Sequence, residues 1–360
     1  MRGLAVFLLC AALCALPALA AEEDGLFGAE ELEEAVPEEA REILGDAGIG
    51  DALEPEGLLT RLWEGALDAL GSVWREAAAG AVKLTALCLL ISAASALAGE
   101  AAREYMNMAG CLAVAAVAFG EAGEWISAGA AAVAELHEFS RALLPCLTAA
   151  AAAGGMVTGA AARYAATSLF MDILISLTRT LLLPLAYALL AVRTAGAALG
   201  NEALNSAAKL IKWLCFGLTA GLMTVFTLYL NLSGAVTGAA DAAAARAAKT
   251  AISAALPVVG GIISDAAGAL TAGASLLRGA VGALGAAVVA AVCLVPFLSL
   301  GLRYLFYKAA AALASCFAEK RLAELIGEVG SVFALVLGVT GAAAAMLFVA
   351  ILSAVKAVGG

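Results

Sequence analysis

The chain has 360 residues, of which 64% are hydrophobic and only 14% charged; its net charge is −10 and its mean hydropathy +0.99. Soluble domains carry about a quarter charged residues, so a soluble globular protein is excluded. The composition predicts an all-α, polytopic helical membrane protein.

The first residues predict a secretory signal. Arg2 supplies a positive n-region, Leu4–Leu16 an apolar h-region, and Ala18-Leu19-Ala20 a small-residue cleavage site after Pro17. We assign 1–20 to the signal peptide, 21–80 to an acidic extracytoplasmic arm and 81–360 to a helical membrane domain. Residues 22–76 hold seventeen acidic residues against Arg41, Arg61 and Arg75, a net of −14, so the remainder of the chain sums to +4. Up to Asp51 the arm is poor in apolar residues and holds several Gly and Pro, which favours disorder or isolated helical turns. From Leu58 onward, Leu58, Leu62, Leu70 and Trp74 recur near helical spacing and predict an amphipathic helix running toward the bilayer.

A membrane-crossing helix needs about 20 apolar residues. Uncharged runs occur at Leu84–Gly99, Tyr105–Gly120, Ala142–Ala162, Trp213–Ala240, Gly279–Leu302 and Val329–Val355. Tyr164–Val192 is long and apolar but contains Asp172 and Arg179. Ala142–Ala162 is mostly Ala and Gly with Pro145, a poor match to hydrocarbon. Omitting it leaves six spans, and counting it gives seven. With the arm outside and six spans, the cytoplasmic segments 100–104, 193–212 and 303–328 hold eight basic residues against six outside, a mild positive-inside preference. On this count 121–163 and 233–278 are exterior elements that dip into the membrane or lie on it. Gly155/Gly159, Gly196/Gly200, Gly217/Gly221 and Gly234/Gly238 each sit four apart, the pattern of close helix packing in lipid, which allows self-association.

Asp172 and Arg179 are two helical turns apart and project from one face. Ionisable groups in a span face the interior, a cavity or each other. They line a polar path or pin a subunit interface, or else Asp172 lies near one membrane surface and Arg179 pairs locally with it. Catalytic motifs are missing. His137 is the one histidine and does not form H-E-x-x-H, because position 141 is arginine. There is no Walker A loop, so nucleotide energy would have to come from another subunit. Cys88, Cys111, Cys146, Cys215, Cys293 and Cys316 are scattered through apolar runs without metal spacing and fit small core residues. We expect no enzyme activity, no cofactor, no metal and no nucleic-acid partner.

The stretch 248–282 is apolar enough for a membrane, yet Pro257, Gly260, Gly261 and Asp265 interrupt it. Proline removes a backbone donor and paired glycines loosen the helix. Broken backbone at membrane depth survives where protein buries it or where it lines a wet cavity. We therefore expect a broken, re-entrant segment lining an interface or polar path, with Asp265 capping the following helix; the alternative is a surface loop or a hairpin lying on the membrane. Lys249, Pro257, Val258, Val259, Gly260, Ser264, Asp265, Ser275, Leu276, Leu277, Val281 and Gly282 together resemble the stage III sporulation protein AE family, with Arg278 where the family carries a lysine.

The resemblance covers about 80–355 and is specific in this block. It implies a component of the channel-like, secretion-like complex joining mother cell and forespore during endospore formation, in the mother-cell-derived outer forespore membrane. The implied partners are other stage III sporulation membrane proteins and a cytoplasmic ATPase, with the lipid bilayer and a homo-oligomer as further partners. The arm would then face the intermembrane space. A secondary transporter, with broken helices and intramembrane charge, is the alternative, and a structural membrane scaffold would use the same packing faces without a wet path.

Overall fold

In the computed structural model the described residues are 28–53, 55–153, 157–255 and 260–356. The signal and its cleavage site lie outside them, as do Pro257 and Gly155. The described chain is helical throughout, without a strand. Two short helices, α1 (Ala29–Glu34) and α2 (Glu38–Leu44), precede a 3₁₀ turn at Asp51–Leu53. Long helices follow: α3 (Pro55–Leu97), α4 (Glu100–Ala153), α5 (Val157–Leu177), α6 (Leu183–Leu199), α7 (Glu202–Ala255), α8 (Gly260–Ala314) and α9 (Lys320–Lys356).

Six helical stretches are long and apolar enough to cross a membrane, α5 and α6 counting as one. That continuity has a local cause. Pro184 has no N–H and would clash with the preceding turn, and the π-helical turn Thr178–Leu182 takes up the conflict, with the Leu183 N–H bonding the Thr178 carbonyl. The α6–α7 turn is equally explicit. Gly200 caps α6 in the left-handed conformation at φ 63°, and the Asn201 side chain accepts the Ala203 N–H at 2.9 Å to cap α7.

Helix α4 has 54 residues, about 80 Å at 1.5 Å per residue. This revises the expectation for 121–163. Residues 121–153 are the second half of α4 rather than a membrane-surface element, and Ile126, Val133, Leu136, Phe139 and Leu143 are buried in the core. Their helical spacing is masked in the sequence by Glu135, His137, Glu138 and Arg141 among them. The run Ala142–Ala162 is divided between the end of α4 and the start of α5, so it is a helix junction and not a seventh span. Likewise 233–278 extends α7 to Ala255 and opens α8 at Gly260.

The contacts fix the register of the bundle. Along α4 and α8, Gly129 approaches Leu300 and Gly285 meets Leu143; along α8 and α9, Gly330 meets Tyr307, Gly341 meets Phe297 and Gly282 meets Ile351 and Val355. The uncharged run of α8, Gly279–Leu302, therefore lies level with Val329–Val355 of α9 and with the second half of α4. Helix α3 runs beside α8 with Glu76 on Arg303 and the Ser92 hydroxyl on the Phe317 carbonyl. Its own uncharged run, Leu84–Gly99, and the Tyr105–Gly120 run of α4 thus stand beside and beyond the α8–α9 turn. The two layers are displaced by about 40 Å at 1.5 Å per residue. The helices that hold these runs are two of the six long and apolar enough to cross a membrane. Beside the α8–α9 layer α3 and α4 present their charged halves, and the uncharged pair projects past the α8–α9 turn as a hairpin.

The arm is packed. Leu32, Val36, Ala40 and Leu44 are buried, α1 lies on α4, and α2 lies on α8 and α3. Arg41 donates to the carbonyls of Glu33 and Glu34, and Arg61 of α3 donates to the Leu44 carbonyl at 2.6 Å. Of the amphipathic positions, Leu58 faces inward, whereas Leu70 and Trp74 join Leu59, Trp63 and Leu67 in an exposed stripe. Of the six cysteines among the described residues, five are buried and Cys316 is exposed.

Of the four-apart pairs, Gly196 meets Asn205 and Gly200 meets Arg321, whereas Gly217 and Gly221 face open space; close approach also occurs at single glycines such as Gly129, against Val336 and Thr340, and Gly285, against Leu143. A side chain at Gly129 overpacks a filled core, which costs about 1–3 kcal/mol or more. Gly129→Leu is expected to lower the thermal midpoint of the detergent-solubilised protein and its accumulation in membranes, whereas Gly217→Leu leaves both near wild type.

Candidate functional site in the charged interior of the bundle

A cluster of ionisable groups marks the end of the apolar layer. The Arg303 guanidinium, buried on α8, meets the Glu76 carboxylate at 3.3 Å and lies 3.7 Å from the centre of the Trp125 ring. Next to it the Tyr307 hydroxyl donates to Glu121, whose other oxygen meets Lys83 at 3.9 Å. One turn of chemistry thus ties α3, α4 and α8 together. On the far side of α9, Arg193 of α6 pairs with Glu328 at 3.3 Å, their side chains 11% and 26% exposed, and reaches the Asn205 amide oxygen at 3.4 Å. Lys308 donates to the Gly327 carbonyl at 2.7 Å and the Ser331 hydroxyl at 3.0 Å. A cavity of about 920 Å³ opens beside these last groups.

A second cluster sits deeper. His137 Nε2 is 2.7 Å from the Asp172 carboxylate, joining α4 to α5. Glu138 lies 3.8 Å from the other ring nitrogen and 3.5 Å from Arg141. His137 stands between Gly129, near Leu300, and Leu143, against Gly285, so the cluster is level with the middle of the α8 apolar run. His137 is 11% exposed, but Asp172, Glu138 and Arg141 are 57%, 68% and 66% exposed. Charge at this depth is costly against lipid, so this face is one that protein or water covers.

The residues singled out in the sequence separate accordingly. Asp172 is paired with His137 and not with Arg179. Arg179 is exposed in the π turn and makes no ion pair among the described residues. Two helical turns bring the pair to one side, but the π turn begins between them and His137 is nearer. Gly260 and Gly261 open α8, and Asp265 follows in its second turn, beyond the free N–H groups of the first. The backbone therefore does not place Asp265 as the cap. Pro257 is outside the described residues, and the block and the Asp172 cluster are not brought together by any described contact.

Sequence reasoning missed His137, Arg193 and Glu328. In the sequence His137 fails the metal-ligand spacing and offers no other motif; its place four turns from the α4–α5 junction, facing an aspartate equally far along the next helix, is the signal that pairs it with Asp172. The model of the family described as stage III sporulation protein AE matches residues 62–358. The chain belongs to that family. The match starts inside α3 and takes in the whole bundle, while α1 and α2 precede it. No curated protein and no solved structure matches the chain. Membership in the stage III sporulation protein AE family makes this a sporulation-related membrane protein.

Removing one member of a buried ion pair leaves the other uncompensated, at about 3–5 kcal/mol. Arg193→Gln and Glu328→Gln should each lower the stability of the solubilised protein, and the double variant should recover part of the loss. Strict additivity in that cycle would show that the two charges are independently solvated.

Proposed function

We propose that the chain is a non-enzymatic membrane component of the channel-like, secretion-like complex joining mother cell and forespore, required for endospore formation. The observation that carries the reading is the outward face of Asp172, Glu138 and Arg141 at the middle of the apolar layer, in a chain of a sporulation family. A subunit that meets lipid on every side has no use for such a face, whereas a subunit of a larger assembly covers it with a partner or with a water-filled path. The partners are other stage III sporulation membrane proteins, further copies of the chain, and a cytoplasmic ATPase that supplies the energy this chain has no motif to harvest. The membrane is the outer forespore membrane, with the signal removed and the arm in the intermembrane space.

The block at 249–282 is the second element of this reading. Gly260 and Gly261 open α8, with Pro257 three residues earlier in the sequence, and we assign this block to an interface or a polar path. Replacing the three together by alanine should favour one continuous helix. The variant should still accumulate in the membrane fraction, because the apolar runs of α7, α8 and α9 are intact, while heat-resistant spore counts collapse. Normal counts with normal accumulation would remove the block from the mechanism, and loss of the protein would make the junction a folding element.

A secondary transporter is the second reading, favoured by the intramembrane His137–Asp172 pair. The two readings divide on phenotype: Asp172→Asn should block sporulation in every medium if the protein is a complex subunit, whereas a transporter defect is relieved by supplying the solute.

The orientation is tested separately. In a background without native cysteines, Glu42→Cys should react with a membrane-impermeant maleimide from the extracytoplasmic side and Glu202→Cys should not; the reverse pattern would invert the topology.

A further inference from the structure

The cavity at the turn end of the bundle has a composition of its own. Its lining takes Arg193 from α6, Lys209 from α7, Lys308 from α8, and Lys320 and Arg321 from the first turn of α9. Glu324 and Glu328 are the carboxylates in the wall, so cations outnumber anions with every group ionised. Two cations are fixed as the floor, Arg193 by Glu328 and Lys308 by Gly327 and Ser331. Lys320 pairs with Glu324 at 3.7 Å and Arg321 with Glu319 at 3.8 Å, both on the exposed side, whereas Lys209 makes no ion pair among the described residues. The Arg321 guanidinium lies over Gly200, where a Cβ would come within 2.7 Å of it, so the left-handed glycine that caps α6 also makes room for the cation.

Depth decides what such a cavity meets. Leu302 ends the uncharged run of α8, and Lys308 follows it; on α9, Glu328 directly precedes the run Val329–Val355. The cavity therefore sits at the rim of the apolar layer, at the height of lipid headgroups. Its volume of about 920 Å³ exceeds what a lone phosphate fills. Basic pockets between helices at this height take phosphate-bearing headgroups, and several cations converging from different helices meet the oxygens of a phosphodiester with charge-assisted hydrogen bonds.

We propose that this cavity is a binding site for the phosphate headgroup of an anionic phospholipid, with Lys209 and Arg321 at its mouth and Arg193 and Lys308 as its floor. The site is independent of the sporulation reading, since it requires only a bundle in a bilayer.

The test uses the full chain purified in neutral detergent, with lipid binding read by native mass spectrometry and by the shift in thermal midpoint. Phosphatidylglycerol and cardiolipin should bind and raise the midpoint, and phosphatidylcholine should not. Lys209→Gln with Arg321→Gln should weaken the anionic lipids about 30-fold, the loss of two near-surface cations. Arg103→Gln, which removes an exposed cation at the hairpin tip, should leave them unchanged. Lys209→Arg with Arg321→Lys should bind nearly as the wild type and serves as the folded control. Equal affinity in the wild type and the double Gln variant would overturn the proposal. So would equal binding of phosphatidylcholine, an equal loss in Arg103→Gln, or a charge-conserving variant as weak as the Gln variant. Inorganic phosphate is the last arm: reproduction of the full midpoint shift by phosphate alone would make this a free-anion site and overturn the lipid assignment.

Discussion

Arg303 holds the junction on which the arrangement turns. Its guanidinium is bound from one side by Glu76 of α3 and from the other by the face of Trp125 on α4, while the neighbouring Tyr307 holds Glu121. A buried guanidinium needs its charge compensated, and Glu76 and the Trp125 ring do so in one sliding position of α3 and α4 along α8, although one guanidinium nitrogen is left without a hydrogen-bond partner. Once that position is set, Gly285 meets Leu143, Gly129 meets Val336, and the Ser92 hydroxyl reaches the Phe317 carbonyl. The junction thus converts three long helices that could slide past one another into a bundle with a single register.

That register has a consequence for the membrane. Hydrocarbon about 30 Å thick accommodates one layer of uncharged helix, and α8, α9, α7 and the continuous α5–α6 helix share such a layer. Helices α3 and α4 put charged halves into it and hold their uncharged halves beyond it. The arm packs on α3, α4 and α8, with its apolar positions Leu32, Val36, Ala40 and Leu44 turned into the bundle and most of its carboxylates turned out. Most of the surface at this depth is therefore suited to lipid, whereas the carboxylates of the arm and the Asp172 cluster are suited to polar surroundings. A lone bundle ringed by lipid would leave those groups uncompensated, which is why the assembly reading rests on this asymmetry more than on any single residue.

The class of fold was legible because it depends on composition and on local runs. Six long apolar helices follow from the spacing of Lys, Arg, Asp and Glu along the chain, and Ala142–Ala162 was correctly kept out of the span count by its Ala, Gly and Pro content. Register was not legible. The runs Leu84–Gly99 and Tyr105–Gly120 resemble spans as well as Gly279–Leu302 does, and their displacement is decided by Arg303, on a helix far along the chain. The site was half legible for the same reason. Asp172 stands out as a charge within an apolar run, but its partner His137 belongs to a stretch where Glu135, Glu138 and Arg141 make it resemble a surface segment. Arg193 resembles a loop cation because its carboxylate, Glu328, is also remote in sequence. The packing of the arm could have been read, since Leu32, Val36, Ala40 and Leu44 recur four apart, but seventeen acidic residues in the same region obscured it.

The interior charges are hard to explain as stabilisers. A buried ion pair roughly repays its desolvation, and apolar replacement of both members is often neutral or stabilising. Four separate helices nevertheless carry the Arg193–Glu328 and His137–Asp172 pairs, each joining neighbours that apolar packing alone would hold. What an ion pair adds to packing is position: Leu against Val tolerates a slide of one turn, whereas a carboxylate 2.7 Å from an imidazole does not. The two pairs fix α4 to α5 and α6 to α9, the helices that border the polar face and the cationic cavity. Both surfaces need an exact juxtaposition of side chains from different helices, and both would lose it if the bundle were free to slip. Polar interior contacts in this fold are accordingly best understood as devices of alignment, set where the molecule meets something other than hydrocarbon.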